Sequence, residues 1–223
     1  MSVNVAIDGP AGAGKSTIAK LLSERMGYIY IDTGAMYRAM ALYLLRQGIE
    51  PTDASAIEAA CESVDITIDH RDKKQVVFLN GEDVNGLIRT EEVGKMASVS
   101  SANKKVREKL VSLQRKIAEK NNVVMDGRDI GTVVLPDARV KIFLTADPKV
   151  RAKRRYDELV SKGEPADINV IEQDIIERDR RDMTRDIAPL KQAEDAVRVD
   201  TSDMSVDQVV ERIMAIIEEK AGD

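Results

Sequence analysis

A glycine-rich loop between a strand pattern and a helix pattern constrains the fold of this chain more than any other segment. Residues 9–16 read Gly-Pro-Ala-Gly-Ala-Gly-Lys-Ser. The β-prone residues Val3, Val5 and Ile7 precede this loop, and apolar residues at helical spacing follow it as far as Gly27. Glycines let backbone amides surround a phosphate at the start of a helix, where the helix dipole favours negative charge. The loop therefore predicts a nucleoside triphosphate site rather than an ordinary turn.

Nucleotide binding by itself leaves three classes of protein open. Lys15 is suited to reach the outer phosphates, and the hydroxyl of Ser16 is suited to bind Mg²⁺. A guanine-specific switch would need an Asn-Lys-x-Asp tetrapeptide, which does not occur in the sequence. A motor or transporter ATPase would need more chain or partner modules. A small-molecule kinase needs a second anion site for its phosphate acceptor, and the arginines favour this class.

Two of these arginines follow predicted strands. Arg38 closes the segment 32–38, Asp-Thr-Gly-Ala-Met-Tyr-Arg, which begins where the second strand ends. Arg128 lies between two carboxylates in the segment 126–129, Asp-Gly-Arg-Asp. Ligands of open α/β sheets bind at strand ends, and a guanidinium can bind a phosphate with two hydrogen bonds. We therefore predict that both arginines bind anions.

A third group of charges has helical spacing. Steps of three and four residues place its members on one helix face, where three cations are suited to clamp triphosphate charge. The members are Arg178, Arg181, Asp182 and Arg185. The alternative is a solvated face in which Asp174 and Glu177 pair with the arginines one turn later, and the spacing alone favours that alternative.

Alternating strand and helix patterns predict the architecture. Compact apolar runs at 28–31, 123–125, 140–144 and 197–199 suit buried parallel strands, with helices between them. We predict an α/β P-loop kinase fold with a central parallel sheet flanked by helices.

A different pattern over about residues 63–100 predicts a small antiparallel insertion. Apolar and polar residues alternate at 64–68, and Asn80-Gly81 is a strong signal for a two-residue hairpin turn. No repeat, low-complexity tract or linker divides the sequence, so we predict a single domain over residues 1–223.

Composition excludes several kinds of partner. Of the 223 residues, 43% are apolar and 33% are charged, which is enough to bury a core. A net charge of −5 and the absence of tryptophan argue against a nucleic-acid surface. The longest apolar run, residues 39–45, is too short to span a bilayer, and the strand pattern at Val3 leaves no room for a targeting peptide. Because Cys61 is the only cysteine, we expect a cytoplasmic protein.

These motifs, in this order, resemble the bacterial cytidylate kinases, which belong to the nucleoside monophosphate kinase family. The resemblance extends over essentially the whole chain and is specific because the motifs form an ordered set. They are the loop 9–17, the segments 32–38, 81–84, 126–134 and 177–182, and Arg185 with Ala188-Pro189-Leu190.

The resemblance implies transfer of the γ-phosphoryl group of ATP to CMP or dCMP, with Mg²⁺ and without a covalent enzyme intermediate. It implies that the insertion binds the nucleoside monophosphate and that a mobile lid covers about residues 151–166. We expect a monomer that binds neither nucleic acid nor membrane. The alternatives are a kinase for UMP or a hydroxylated metabolite, and a nucleotide-gated binding protein.

The resemblance also assigns site residues. The ATP-binding residues are Gly9, Pro10, Ala11, Gly12, Ala13, Gly14, Lys15, Ser16 and Thr17, with Ser16 on the metal. The CMP-binding residues are Thr33, Arg38, Ser98, Arg107, Arg128, Asp129, Asp182 and Arg185. The catalytic residues are Lys15, Arg128, Arg178 and Arg181. Arg38 and Arg128 would hold the acceptor phosphate, and Thr33, Asp129 and Arg185 would contact the sugar. Ser98, Arg107 and Asp182 would read the cytosine edge, with Ser100 and Ser101 as alternatives to Ser98.

Overall fold

The computed structural model describes residues 4–71 and 74–222, so Val3 lies outside the described residues. The strands are β1 (Asn4–Asp8), β2 (Ile29–Asp32), β3 (Ile66–Arg71), β4 (Lys74–Leu79), β5 (Glu82–Asp83), β6 (Val123–Gly127), β7 (Val140–Thr145) and β8 (Val197–Asp200). The helices are α1 (Lys15–Met26), α2 (Thr33–Arg46), α3 (Ala54–Ser63), α4 (Glu91–Ser100), α5 (Lys104–Lys120), α6 (Pro148–Ser161), α7 (Ile168–Thr184) and α8 (Val206–Gly222). A π-helical turn occupies Ile130–Val134.

The chain forms two compact units. The first unit comprises residues 4–28 and 123–222, and the second comprises residues 29–122. The second unit is longer than the predicted insertion. The proposed bounds of the insertion and of the lid, about 151–166, stay predictions.

The first unit is built on parallel strands in the order β6-β1-β7-β8. In β1, Val5, Ala6 and Ile7 are fully buried, as expected for a central strand covered on both faces. The runs at 123–125, 140–144 and 197–199 are strands β6, β7 and β8, so the predicted α/β class with a parallel sheet is confirmed. The carboxyl end of β1 leads into the phosphate loop, and the carboxyl end of β6 leads into Arg128.

Local signals set the ends of several helices. α1 lies between Gly14 and Gly27, both with positive φ (87° and 67°). At the start of α8, the backbone amide of Ser205 donates to the side chain of Gln208 (2.8 Å), and the amide of Gln208 donates to the Ser205 hydroxyl (3.3 Å), which is a capping box. Among the helices of the described residues, none has the combined length and hydropathy needed to cross a bilayer.

The second unit contains an antiparallel sheet in the order β3-β4-β5. Asn80 (φ 49°) and Gly81 (φ 83°) form the two-residue turn between β4 and β5, which confirms the predicted hairpin. Residues from α2, α4 and α5 share one buried core with β3 and β4. The largest fully buried members of that core on the helices are Met36, Met40, Leu44, Ile57 and Leu110.

The antiparallel pattern ends earlier than predicted, because residues 91–100 form helix α4. The hydroxyl of Thr90 caps this helix by accepting from the amide of Val93 at 3.3 Å. Gly94 lies within the helix and weakens its helical pattern in the sequence. A Cβ at Gly94 would lie 3.1 Å from a guanidinium nitrogen of Arg38, so tertiary packing explains the glycine.

Candidate active site

The phosphate loop connects β1 to α1, and its shape depends on glycine. Gly9 has φ 152°, and a Cβ added there would lie 1.9 Å from the carbonyl oxygen of Leu144. Gly12 and Gly14 also have positive φ, at 75° and 87°. The loop therefore packs directly against β7 and ends at the N-terminus of α1, where backbone amides are available to bind an anion.

Lys15 lies among two arginines, Arg128 and Arg178, and two aspartates, Asp126 and Asp8. Its side chain is buried, and its Nζ donates to the carbonyl oxygen of Pro10 at 2.7 Å. Burial and the nearby charge of Arg128 lower the pKa of Lys15 to about 7, although Asp126 opposes them. The charge of Arg178 lowers this pKa further. An excess of cations beside the loop is what a bound triphosphate would neutralise.

Ser16 and Asp126 offer oxygen ligands next to the loop. The hydroxyl of Ser16 donates to a carboxylate oxygen of Asp126 at 3.0 Å. Carboxylate and hydroxyl oxygens suit Mg²⁺, which keeps several waters and binds through few protein ligands plus substrate phosphates. Within residues 4–71 and 74–222, no group of three His, Cys, Asp or Glu residues gathers to hold an ion. The residues present therefore fit a metal held largely by nucleotide phosphates and water.

Arg128 and Asp182 form a partly buried ion pair in the same unit. Nε of Arg128 donates to Asp182 at 2.8 Å, and the side chain of Asp182 is 8% exposed. Burial raises the pKa of Asp182, but the charge and hydrogen bond of Arg128, together with the charges of Arg178 and Arg185, outweigh burial and hold this pKa below its usual range. The Asp182 carboxylate is therefore ionised at neutral pH and can accept hydrogen bonds.

The four charges with helical spacing do not all lie on one helical face. α7 ends at Thr184, and Arg185 adopts an extended conformation beyond it. There, Nε of Arg185 donates to the carbonyl oxygen of Ala188 (2.7 Å), and the guanidinium lies 3.9 Å from Asp129. The expected shared face is wrong for Arg185, because the helix stops before that residue.

Arg181 lies on a solvated helix face, as the alternative interpretation of the helical spacing expects. Its side chain is 48% exposed and lies 3.9 Å from Glu177 on the same helix. Arg178, by contrast, acts on the pKa values of both Lys15 and Asp182. The catalytic roles of these arginines stay predictions.

Asp8 connects the end of β1 to the π-helical turn. One oxygen of its carboxylate accepts from the amide of Ile130 and the other from the amide of Gly131, both at 2.7 Å. Asp8 is 4% exposed. Burial raises the pKa of Asp8 to about 6, although the two backbone hydrogen bonds favour the ionised form.

The raised pKa of Asp8 predicts a pH-dependent contribution to stability. The unfolded chain, with a pKa of 3.8, releases this proton at lower pH than the folded chain does. Asp8 therefore stabilises the fold at low pH, and this contribution is lost as pH rises through about 6. We expect it to fall by about 2 kcal/mol between pH 4.5 and pH 7.5.

Urea unfolding of the parent and of Asp8→Asn at both pH values measures this change. The free energy of unfolding of the variant minus that of the parent is expected to be larger at pH 7.5 than at pH 4.5. An equal difference at the two pH values would show that the pKa of Asp8 is not raised.

Arg151, on helix α6, forms a hydrogen bond with the backbone of the phosphate loop. Its side chain is 3% exposed, and it donates to the carbonyl oxygens of Ala11 and Ala146, both at 2.9 Å. The same guanidinium lies 2.6 Å from Asp179 of α7. The sequence gives no sign of this contact, because Arg151 is one of several basic residues in a charged helix.

A cavity of about 710 Å³ opens next to Arg151 within the first unit. Its lining combines the loop residue Pro10 with residues of β7, of α7 and of the segments that follow β7 and β8. These include Phe143, Ala146, Asp179, Met183 and Ser202. Apart from Pro10, sequence reasoning did not include these residues in the site.

In the second unit, Asp32 organises the start of α2. One of its carboxylate oxygens caps the helix by accepting from the amide of Ala35 (2.9 Å), and the other pairs with Arg89 (2.7 Å). The side-chain amide of Gln75 accepts from the Asp32 amide (2.8 Å) and donates to its carbonyl (3.2 Å). Thr33, the first residue of α2, is buried.

Arg38 and Arg107 are the predicted cations of the second unit. Arg38 is half-buried on α2 and donates to the carbonyl oxygen of Ile88 at 3.2 Å. Arg107 is buried on α5, donates to the carbonyl oxygen of Ser101 at 3.3 Å, and has its guanidinium 5.7 Å from the centre of the Tyr37 ring.

The three alternative serines differ in exposure. Ser98 is half-buried, whereas Ser100 and Ser101 are buried. The hydroxyl of Ser101 donates to the carbonyl oxygen of Ser98 at 2.9 Å. Which of the three serines contacts the base stays a prediction.

Comparison with known proteins identifies the family of the whole chain. The sequence profile of the cytidylate kinase family matches residues 5–219. A cytidylate kinase of Geobacillus sp. is 47% identical over 221 residues, which is 99% of each chain. One of Caldicellulosiruptor bescii is 50% identical over 214 residues, covering 96% of this chain and 95% of the relative. One of Bacillus subtilis is 45% identical over 219 residues, covering 98% of both chains.

A solved structure supports the fold alone. An uncharacterised protein from Eubacterium ventriosum superposes with a TM-score of 0.53 at 16% identity, over 98% of this chain and 99% of that one. Family membership rests instead on the profile match and on relatives of near-identical length. Because the profile matches residues 5–219 and the relatives match over nearly their full length, the chain belongs to the cytidylate kinase family.

Proposed function

We propose that the protein transfers the γ-phosphoryl group of ATP to the phosphate of CMP or dCMP, giving ADP and CDP or dCDP. The observation that carries the proposal is the cationic cluster of Lys15, Arg128 and Arg178 beside the phosphate loop of a chain in this family. We further propose that the protein acts as a cytoplasmic monomer and that its partners are nucleotides rather than nucleic acid.

The reaction needs positioning and charge neutralisation rather than a strong base. An oxygen of the acceptor phosphate is already a nucleophile, so no covalent enzyme intermediate is required. Lys15 would bind oxygens of the outer phosphates of ATP, and Arg128 would bind the phosphate of CMP. Arg178, and Arg181 after movement of the lid, would neutralise the charge that develops on the transferred group.

Ser16 and Asp126 would hold Mg²⁺, directly or through water. When bound, the ion would neutralise phosphate charge and orient the triphosphate. The hydroxyl–carboxylate contact of 3.0 Å supports this assignment, since both oxygens would serve one ion.

The cavity beside Arg151 would take the base of ATP. It adjoins the loop through Pro10, and its apolar members Phe143 and Met183 suit the faces of a purine. Arg151 would keep the loop in place at the mouth of this cavity.

The acceptor residues that we propose in the second unit are Thr33, Arg38, Ser98 and Arg107. Thr33 would contact the sugar, and Arg38 the phosphate. Ser98 and Arg107 would donate hydrogen bonds to the acceptor edge of cytosine. From the first unit, Asp182 would accept from the cytosine amino group, and Asp129 and Arg185 would contact the sugar.

A coupled assay of ADP release over a panel of nucleoside monophosphates tests the function. We expect the highest kcat/KM with CMP or dCMP, and dependence on Mg²⁺. The highest value with UMP would identify a different acceptor. ATP binding without ADP release for any acceptor would favour a nucleotide-gated binding protein.

Replacing Arg38 should separate acceptor binding from donor binding. Arg38→Met removes a charge-assisted contact to the acceptor phosphate, which we expect to weaken CMP binding by about 1.5–3 kcal/mol. ATP affinity is expected to change much less. Calorimetric titration of each nucleotide measures both effects.

Arg46→Met is a matched control on the same helix. Arg46 is exposed and pairs with Glu82 at 3.0 Å, so its loss is expected to leave both affinities unchanged. A loss of ATP affinity in Arg38→Met, with CMP affinity intact, would place Arg38 on the donor side.

A further inference from the structure

Asp8 is a buried carboxylate to which the proposed function gives no role, although its charge acts on Lys15. It is the last residue of β1 and directly precedes the first glycine of the phosphate loop. Its two oxygens accept from two consecutive amides, Ile130 and Gly131, each at 2.7 Å. Bonds of this length from both amides make Asp8 the N-terminal anchor of the π-helical turn.

The π-helical turn directly follows the residues that we assign to the acceptor. The carbonyl oxygen of Asp129 accepts from the amides of Val133 (2.9 Å) and Val134 (3.2 Å). Asp8 holds the amides of Ile130 and Gly131, so hydrogen bonds hold both the carbonyl and the amide of the peptide group that follows Asp129. π-helical turns concentrate at functional sites, where they set the direction of a side chain.

In the observed geometry, each of the two amides has a carboxylate oxygen of its own. An asparagine at position 8 would offer one oxygen and one NH₂ group, so one buried amide would face another donor. There is little space to rearrange, because a Cβ at Gly131 would lie 3.3 Å from Asp8 and 3.1 Å from Lys141.

We propose that Asp8 is a positioning residue of the acceptor site. Its carboxylate holds the π-helical turn and, through it, the backbone that carries Arg128 and Asp129. This inference rests on the proposed function, because it takes both residues as ligands of CMP. Asp8 itself contacts no substrate.

The test is the Asp8→Asn variant, studied by steady-state kinetics and by amide hydrogen exchange. We expect KM for CMP to rise about tenfold, since one buried amide loses its acceptor, while KM for ATP changes less than about twofold. Exchange is expected to accelerate at Ile130 or Gly131, which reports the anchor independently of activity. Asp8→Ala, which removes both acceptors, is expected to raise KM for CMP further.

Asp53→Asn is the matched control. Asp53 caps α3 by accepting from the amide of Ala56 at 2.9 Å, so its loss affects a helix cap outside the proposed site residues. We expect parental KM values in this variant. The substitution Asp8→Asn is expected to raise KM for CMP less in the Asp129→Ala variant than in the parent. The effects should not add, because the two residues act on one contact.

The outcomes separate this inference from the function on which it rests. A parent that does not phosphorylate CMP overturns the proposed function and the acceptor role with it. A parent active on CMP, with unchanged KM and exchange in Asp8→Asn and Asp8→Ala, overturns the role of Asp8 alone. A rise confined to KM for ATP also overturns it and places Asp8 in support of the phosphate loop. If both variants fail to fold, amide hydrogen exchange is measured in the parent alone. Unprotected amides at Ile130 and Gly131 would then contradict the proposal that Asp8 anchors the π-helical turn.

Discussion

Lys15→Ala is expected to lower kcat about 100- to 1,000-fold or more while the fold remains intact. The ammonium of Lys15 would compensate charge on the outer phosphates, and loss of one preorganised donor has effects of this size in other transfer sites. Burial already disfavours the charged form of this lysine, as its lowered pKa of about 7 indicates, so alanine should not destabilise the protein. Steady-state rates together with thermal unfolding measure the two effects.

Lys20→Ala provides the comparison on the same helix. Lys20 is exposed on α1, and we expect the variant to keep the parental kcat. Near-parental turnover in Lys15→Ala would exclude a role for this lysine in phosphoryl transfer.

Asp182 is expected to give the largest change in specificity. Cytosine presents an amino group at N4, whereas uracil presents an oxygen there. An ionised Asp182 accepts a hydrogen bond from the cytosine amino group and repels the uracil oxygen. Each buried polar group left unpaired costs about 1–3 kcal/mol. With a second mismatch at Arg107, we expect the parent to prefer CMP to UMP about 100-fold or more in kcat/KM. Asp182→Ala should lower the efficiency with CMP far more than with UMP.

The ratio of kcat/KM for CMP to kcat/KM for UMP isolates the contribution of Asp182 to recognition of the base. Asp182 also pairs with Arg128, so its loss disturbs a residue proposed to bind phosphate, and both substrates will suffer from that disturbance. Asp174→Ala, an exposed site on the same helix, controls for changes in α7. Equal parental efficiencies for CMP and UMP would contradict the cytidylate assignment. An unchanged ratio in Asp182→Ala would contradict only the role of Asp182.

The strands, the phosphate loop and the hairpin were predictable because each depends on residues close in sequence. Gly12 and Gly14 are required by positive φ angles within the loop itself, whereas the close packing at Gly9 against Leu144 of β7 comes from the fold. Asn80-Gly81 specifies a turn through its own positive φ angles, and Ser205 with Gln208 specifies a helix start through two local hydrogen bonds. Rules of this kind need no knowledge of the rest of the fold.

Predictions made from helical spacing alone were less complete. The spacing placed Arg178, Arg181 and Arg185 on one face, but it carries no information about which face is buried or where the helix ends. In the structure Arg178 joins the cluster at Lys15, Arg181 is half-exposed, and Arg185 lies beyond the last turn. Helix α4 is not predicted from the sequence for a related reason. Gly94 interrupts its helical pattern, and Gly94 lies next to the guanidinium of Arg38, a contact that the sequence does not reveal.

Contacts between residues distant in sequence had no local signal. Asp8 accepts from amides more than 120 positions away, and Arg151 holds the carbonyl of Ala11 from a helix far along the chain. An aspartate before a loop and an arginine in a basic helix have many possible environments, and burial selects one of them only after the sheet has formed. The sequence alone therefore determines the chemistry available to this protein, whereas tertiary packing determines which charges are buried, paired and held in place, because burial and pairing depend on neighbours that only the folded chain brings together.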